Sequence, residues 1–290
     1  MNIVFVCTGN TCRSPLAEGY LKSFGLRGVN VKSRGIFADG SAVSENSAEI
    51  AKEYGFDIGG HISSPITTDD LSADMIICMS HSHKELLLSM GADKNKTFVL
   101  GGGIDDPFGG NLTVYRYCAN QIFDRIDRMV FGGVFTDFSI VSAKESHIKD
   151  IAKIEKEVFS TPWSEEAILD SIKNGYYFFA AIDEEENTLG YAGLSIVLDE
   201  GYIANVAVDP KFRKMGVGTL LVRRIFSLAR EKGLSFVTLE VRASNENAIS
   251  LYEKCGFKTE GRRKNFYSDP REDAIIMTRR FSRQNDNSKH

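Results

Sequence analysis

Apolar runs of strand length alternate with segments of helical periodicity through the first 129 residues, and this alternation limits the folds open to the chain. The last helical segment, 114–129, has apolar residues at Ile122, Ile126 and Met129, as expected for a buried helix face. A helix between two strands favours parallel strands, covered on both faces. The pattern predicts an α/β fold, a doubly wound parallel sheet, with strands at 2–6, 30–34 and 75–79 and helices at 15–24, 47–54, 84–90 and 114–129.

A stretch with paired glycines, "FGGVFTD" at 131–137, interrupts this rhythm and leads into a new strand. We therefore predict two domains, residues 1–132 and residues 138–283, followed by a polar, frayed C-terminus. The second domain is also predicted to be α/β, with strands at 138–143, 177–182, 191–197, 203–208, 236–241 and 273–279 and helices at 148–158, 165–173, 217–232 and 247–255.

Charge, cysteine content and hydropathy narrow the cellular setting. The formal net charge is -4, which argues against direct nucleic-acid binding, because neutralising phosphates requires a surplus of Lys and Arg. Five cysteines, mostly scattered, fit a reducing compartment better than a disulfide framework. We find no basic leader and no apolar run of the roughly 20 residues that a membrane span requires. We expect a cytoplasmic protein without membrane attachment.

A loop suited to an oxyanion follows the first strand, in "VCTGNTCRSP". Cys7 and Arg13 are five residues apart, and the loop leads into a helix. Loop N–H groups and the helix N-terminus favour the binding of a tetrahedral dianion. Arg13 can hold the oxygens of this dianion through two hydrogen bonds. The same positive field is expected to lower the pKa of Cys7 and favour a nucleophilic thiolate, to which Ser14 can donate a hydrogen bond.

This string resembles the signature of the low-molecular-weight protein phosphatases, and "DDPFGG" at 105–110 resembles their Asp-Pro-aromatic motif. The resemblance implies that Asp106, rather than Asp105, is the general acid that protonates the leaving group. It also implies that Cys12 traps an oxidised Cys7 as a reversible disulfide. The implied substrate-binding loop consists of Thr8, Gly9, Asn10, Thr11, Cys12 and Ser14.

Thr11 bears on the choice of phosphorylated protein substrate. The tyrosine phosphatases of this family usually carry an aliphatic residue at that position, whereas the protein-arginine phosphatase branch carries threonine. A hydroxyl can accept a hydrogen bond from a guanidinium group, which favours phosphoarginine. However, the segment 97–106 is shorter than its counterpart in that branch, so part of the substrate rim is expected to be missing. The alternative is a protein-tyrosine phosphatase joined to an acetyltransferase of other specificity. His81 and His83 are interpreted as surface or capping residues, and no metal site is predicted.

The second domain contains an R-x-x-G-x-G loop, "RKMGVG", between a strand and a long helix. With the preceding "NVAVDP", it resembles the acetyl-CoA-binding core of the GNAT acetyltransferases. The resemblance implies that N–H groups at the helix N-terminus bind the CoA pyrophosphate and that strand main-chain groups bind the pantetheine and acetyl carbonyl. The implied cofactor-binding residues are Val206, Ala207, Val208, Arg213, Lys214, Met215, Gly216, Val217, Gly218 and Thr219.

Three further motifs, "STPWSEE", "LEVRASNENAISLYEKCGF" and "REDAIIM", resemble the RimI-type ribosomal protein alanine N-acetyltransferases. That resemblance implies that Glu240 is the general base, Tyr252 the general acid and Asn245 a cofactor contact. Phe266 stands where those enzymes commonly have tyrosine. The sequence thus predicts a bifunctional enzyme that acts on phosphorylated proteins and on the N-terminal alanine of a ribosomal protein. One active enzyme joined to an acetyl-CoA-sensing module is a second alternative.

Overall fold

The computed structural model describes residues 1–281, which form two compact units, Met1–Val130 and a second unit that begins at Phe131. The polar C-terminus from residue 282, including the last two residues of the predicted 138–283 domain, lies outside the described residues. None of the helices within residues 1–281 combines the length and the apolarity needed to span a bilayer.

The first unit is a four-stranded parallel sheet in the order β2-β1-β3-β4, with helices between the strands. Its strands and helices are β1 (Asn2–Cys7), α1 (Arg13–Ser23), β2 (Asn30–Gly35), α2 (Glu45–Glu53), β3 (Met75–Cys78), α3 (His81–Ser89), β4 (Thr97–Val99) and α4 (Leu112–Phe131). The predicted α/β class is confirmed. The β4 strand was not predicted, because three residues are too few to show a periodic pattern.

The apolar strands β1 and β3 lie in the middle of this sheet, where Ile3, Phe5 and Ile76 are completely buried. Helix α1 begins at Arg13, two residues before the predicted start at Pro15. A proline is tolerated in the first helical turn, where its missing N–H would have no helical partner. As a result, only residues 8–12 separate the end of β1 from the helix, and both Cys7 and Arg13 border this short loop.

The second unit contains a seven-stranded mixed sheet in the order β10-β11-β9-β8-β7-β6-β5, in which only β8 and β9 pair in parallel. Its elements are β5 (Ser139–Ser142), α5 (Glu145–Val158), α6 (Glu165–Lys173), β6 (Tyr177–Ile182), β7 (Thr188–Val197), β8 (Glu200–Val208), α7 (Val217–Lys232), β9 (Phe236–Arg242), α8 (Glu246–Lys254), β10 (Lys258–Ser268) and β11 (Arg271–Arg280).

Strand β10 was missed in the sequence because almost all of its residues are exposed, so no alternation of apolar and polar positions marks it. The two central strands β8 and β9 pair only where 200–202 lies beside 236–238. Beyond this short pairing they separate, although β8 remains paired with β7 as far as Val208. Within the described chain, the β9-facing edge of 203–208 therefore has no strand partner.

Candidate active sites

The first candidate site is built around the sulfur of Cys7, which lies at the end of β1 and is 2% exposed. Its Sγ is 3.0 Å from Ser14 Oγ, and the Asn10 N–H donates a hydrogen bond to it over 3.2 Å. The fold therefore directs the Ser14 hydroxyl and the backbone N–H groups of Asn10 and Ser14 at the sulfur. These groups can stabilise a thiolate.

Burial nevertheless raises the pKa of the Cys7 thiol, because the charged form loses its hydration. Hydrogen bonds from Ser14 and Asn10 and the charge of Arg13 offset this effect only in part. The expectation of a lowered pKa is therefore wrong. The sequence motif shows which groups stabilise the thiolate, but it does not show how deeply the sulfur is buried.

Asn10 holds the shape of the loop. It is completely buried and has a left-handed backbone with φ 56°, a conformation that Asn tolerates better than most residues. Its Nδ2 donates 2.9 Å hydrogen bonds to Ser14 Oγ and to Ser33 Oγ. Its Oδ1 accepts a 2.9 Å hydrogen bond from the Ser64 N–H and lies 3.1 Å from His61 Nε2. This network fixes the position of the Ser14 oxygen, whose proton has two acceptors within reach, Cys7 Sγ at 3.0 Å and the Arg34 carbonyl at 3.3 Å.

Arg13 connects the loop to the Asp-Pro segment. Its Nη1 donates to the Ile104 carbonyl over 3.0 Å, its Nη2 donates to Thr8 Oγ1 over 3.3 Å, and the same Nη2 forms an ion pair with Asp106. Its Nε is buried and has no hydrogen-bond partner among the described residues. Asp106 Oδ1 also accepts the Phe108 N–H over 3.2 Å. The structure thus brings Cys7, Arg13 and Asp106 to one site.

His83 also belongs to this site, and its interpretation as a surface or capping residue is wrong. The imidazole is 8% exposed, and its Nε2 lies 3.0 Å from Thr8 Oγ1. Burial, followed by the charge of Arg13, lowers the pKa of His83 from 6.5 to about 4. His81, in contrast, is exposed. His83 is the third residue of α3, and helical side chains lean toward the helix N-terminus. The helix start, had it been predicted at His81, would have indicated that His83 lies near the strand end.

The remaining residues of the predicted substrate-binding loop differ in burial. Cys12 is buried with its Sγ 3.2 Å from the Tyr115 hydroxyl, and burial raises the pKa of Tyr115 to about 12. Thr11 and Gly9 are half-buried and Thr8 is exposed.

All five cysteines are free thiols. No group of three or more His, Cys, Asp or Glu side chains suited to a metal ion occurs among residues 1–281.

The second candidate site lies where β8 and β9 separate. Val206, Ala207 and Val208 are on the unpaired stretch of β8, and Arg213 Nε donates to the Val208 carbonyl over 3.3 Å. The following loop has positive φ angles at Lys214 and Gly216, and α7 begins directly after it. A left-handed residue before a helix turns successive N–H groups toward one point.

The other predicted residues of that loop differ in how deeply they are buried. Val217 is buried, whereas Lys214 and Met215 are exposed and Thr219 is half-buried. A Cβ atom at Gly218 would lie 3.4 Å from Leu251 of α8 and 3.6 Å from Val208. Both distances are ordinary van der Waals contacts, so α7 packs against α8 and β8 at this position.

Glu240 and Tyr252 lie on β9 and α8, respectively. The Glu240 carboxylate is half-buried and pairs with Arg263 over 3.2 Å. Tyr252 is buried, and burial raises the pKa of its hydroxyl. Asn245 is the N-cap of α8, where its Oδ1 accepts the Ala248 N–H over 3.1 Å. The cap occupies one amide oxygen and leaves the Nδ2 group of Asn245 for other contacts.

The sequence motifs indicated Phe266 but not its neighbour Tyr267. The Tyr267 hydroxyl donates to the Glu240 carbonyl over 3.2 Å, and burial raises its pKa. Phe266, in contrast, is 45% exposed. The β10–β11 pairing has a register shift between Arg263 and Tyr267.

Comparison with known protein families finds one matching family in each of the two units. Residues 2–131 match the low molecular weight phosphotyrosine protein phosphatase family, and residues 148–257 match the acetyltransferase (GNAT) family.

Individual relatives cover each part almost completely. The chain is 41% identical to the low molecular weight protein-tyrosine-phosphatase PtpB of Staphylococcus epidermidis, covering 45% of this chain and 98% of that protein. It is 38% identical to the protein-arginine-phosphatase of Bacillus subtilis, and that alignment covers 42% of this chain and 89% of that protein. It is 35% identical to the [ribosomal protein bS18]-alanine N-acetyltransferase of Escherichia coli (strain K12), and that alignment covers 48% of this chain and 95% of that protein. The chain therefore belongs to the low molecular weight protein phosphatase family in its first part and to the GNAT acetyltransferase family in its second, and joins two enzyme domains.

Proposed function

We propose that the first domain, residues 1–132, removes phosphoryl groups from phosphoarginine in proteins. The second domain, residues 138–283, would transfer an acetyl group from acetyl-CoA to the N-terminal alanine of a small-subunit ribosomal protein. The observation that carries the first activity is the convergence of Cys7, Arg13 and Asp106. The separation of β8 and β9 next to Glu240 carries the second.

In the first step Cys7 Sγ attacks phosphorus while the bond from phosphorus to the guanidino nitrogen breaks. That nitrogen receives the electron pair of the broken bond and a proton from Asp106. Water then attacks the phosphocysteine and gives a proton to Asp106, so that phosphate leaves and the thiolate returns. Ser14 and the Asn10 N–H stabilise the thiolate through the hydrogen bonds described above.

Arg13 changes partner in this scheme. It is paired with Asp106, and a phosphoryl dianion would attract its guanidinium more strongly than one carboxylate does. Transfer of Arg13 to the phosphoryl oxygens removes the positive charge from Asp106 and places negative charge nearby. Release from the ion pair leaves the Asp106 carboxyl group available to act as the general acid.

The preference for phosphoarginine rests on Thr11, since the relatives include both tyrosine and arginine phosphatases. The test compares kcat/KM for phosphoarginine and phosphotyrosine peptides in the wild type and in Thr11→Ile. We expect the wild type to prefer phosphoarginine and the variant to shift toward phosphotyrosine. A wild type that prefers phosphotyrosine would contradict the proposed substrate and support a tyrosine phosphatase.

In the second domain, the unpaired main chain of Val206–Val208 and the loop before α7 fit an extended thioester ligand with a pyrophosphate group. Acetyl-CoA supplies the activated acetyl group. Glu240 accepts a proton from the incoming ammonium group, through water, because only the neutral amine is nucleophilic. Tyr252 keeps its proton because burial raises its pKa, and it is therefore able to protonate the departing thiolate.

The test of the second activity is mass spectrometry of a peptide with a free N-terminal alanine, incubated with acetyl-CoA and the full chain. We expect one acetyl group on the α-amine, with no acetylation of a matched peptide whose first residue is proline. Binding of acetyl-CoA without transfer to any amine would contradict this activity and support a sensing module.

A further inference from the structure

We infer that Arg242 is a positioning residue for the acceptor chain in acetyl transfer, because it joins the hairpin that borders Glu240 to the segment between α5 and α6. This inference rests on the proposed acetyltransferase activity. Arg242 is the last residue of β9, two positions after Glu240, so both side chains lie on the same face of the strand. Val241 between them is buried, whereas Glu240 and Arg242 are half-buried, which agrees with this geometry.

Arg242 holds the turn of the β10–β11 hairpin with both terminal nitrogens. Its Nη2 donates to the Asp269 carbonyl over 2.6 Å, and its Nη1 donates to the Pro270 carbonyl over 3.0 Å. The carboxylate of Glu272 accepts from Nη1 over 3.3 Å. The guanidinium carbon also lies 4.2 Å from the centre of the Tyr267 ring. A planar guanidinium group makes this combination of stacking and forked hydrogen bonds, and an ammonium group does not.

The same Arg242 nitrogen, Nη2, reaches the segment between α5 and α6, where it donates to Ser160 Oγ over 3.3 Å. Ser160 in turn donates to the Asp269 carbonyl over 2.6 Å. This segment is also fixed from its other end, because the buried carboxylate of Glu155 accepts the Trp163 N–H over 2.7 Å. Arg242 and Ser160 therefore connect the 159–164 segment with the hairpin turn.

The acceptor amine must approach Glu240 to lose its proton, and the hairpin lies beside that residue. Arg263 of β10 pairs with the Glu240 carboxylate, and Tyr267 donates to the Glu240 carbonyl. An acceptor chain entering here passes the hairpin that Arg242 fixes. None of the Arg242 contacts given above involves the proposed acetyl-CoA-binding residues, 206–208 and 213–219. Arg242 is thus expected to govern acceptor binding rather than acetyl-CoA binding.

The experiment measures steady-state acetyl transfer to a peptide with a free N-terminal alanine, using the full chain. In Arg242→Ala we expect the KM for the peptide to rise about tenfold, with little change in kcat or in the KM for acetyl-CoA. Arg242→Lys keeps the charge but loses the fork, and its peptide KM is expected to lie between the two. Ser160→Ala removes the second connection and is expected to raise the peptide KM about threefold.

Arg280→Ala is the matched control, because Arg280 joins the opposite end of the same hairpin through Glu260, over 3.0 Å. We expect its kinetic constants to match the wild type. An unchanged peptide KM in Arg242→Ala, or an equal rise in Arg280→Ala, would overturn the inference. If Arg242→Ala does not fold, as judged by circular dichroism, an unchanged peptide KM in Ser160→Ala overturns it. A wild type that acetylates no amine would overturn the proposed activity and the inference together.

Discussion

The hydroxyl oxygen of Ser14 lies 3.0 Å from the sulfur of Cys7, and both residues are buried. The Ser14 oxygen itself accepts a hydrogen bond from Asn10 Nδ2, so its proton is directed away from Asn10. Since burial raises the pKa of Cys7, the thiolate depends on the few donors that reach it.

We predict that Ser14→Ala lowers phosphatase kcat/KM about tenfold near neutral pH, because the thiolate loses a charge-assisted hydrogen bond. The pH at which Cys7 becomes half-reactive toward iodoacetamide, measured by peptide mass spectrometry, should move upward. Ser89→Ala, in an exposed helical position, serves as the control and should leave both values unchanged. A downward movement in Ser14→Ala would contradict the role given to its hydroxyl.

Asp106→Asn is expected to lower kcat about 100-fold for substrates with poor leaving groups, because the general acid is lost. For aryl phosphates with acidic phenols the loss should be small, since such leaving groups need no proton. The measurement is kcat across a series of aryl phosphates of different phenol pKa. Asp105→Asn is the neighbouring control. A stronger dependence on the leaving group in Asp105→Asn would move the acid to that residue.

The lowered pKa of His83 predicts a dependence of stability on pH. Between pH 6.5 and about 4 the unfolded state binds more protons than the folded state, so stability falls as the pH falls. From pH 7.5 to 5 this contribution is about 2 kcal/mol for His83 alone. The loss of stability between pH 7.5 and 5 should be smaller in His83→Gln. The measurement is unfolding in urea at both pH values, followed by pulsed hydrogen exchange of peptides from β1. Equal losses in both proteins would contradict a neutral, buried imidazole.

Tyr252→Phe is expected to lower acetyl transfer kcat about 100-fold, because the phenyl ring preserves packing against Phe257 but has no proton to donate. Since burial raises the pKa of Tyr252 above its ordinary 10.0, its ionisation should cause no fall in wild-type kcat between pH 8 and 10. The measurement is the pH profile of kcat. Tyr202→Phe, at the far end of β8, is the control, and an equal loss there would argue against a specific proton donor.

Short-range patterns predicted much of this protein. The α/β class and the loop after β1 follow from local periodicity and motif spacing, whereas the acetyltransferase assignment of the second part follows from its resemblance to a known family. Strand β10 did not, because an exposed edge strand lacks the apolar alternation that burial imposes. The motifs also contained Arg242 in "LEVRASN", but its contacts with Ser160 and Asp269 depend on long-range folding.

The environment of individual groups was harder to predict than their identity. His83 occurs in a polar stretch, and only the packing of α3 brings it beside Thr8. For Cys7, the motif shows the groups that lower its pKa, whereas the larger opposing effect of burial comes from the surrounding core. Local sequence records which donors are adjacent, but desolvation depends on the whole domain.

The most direct test of two independent catalytic domains is to measure both activities in the same preparations of Cys7→Ser and Glu240→Gln. We predict that Cys7→Ser abolishes phosphoarginine hydrolysis and retains acetylation of the N-terminal alanine peptide, whereas Glu240→Gln retains hydrolysis and loses at least 100-fold, as an order-of-magnitude estimate, in acetyl transfer. Unchanged acetyl transfer in Glu240→Gln, or persistent hydrolysis in Cys7→Ser, would contradict the account.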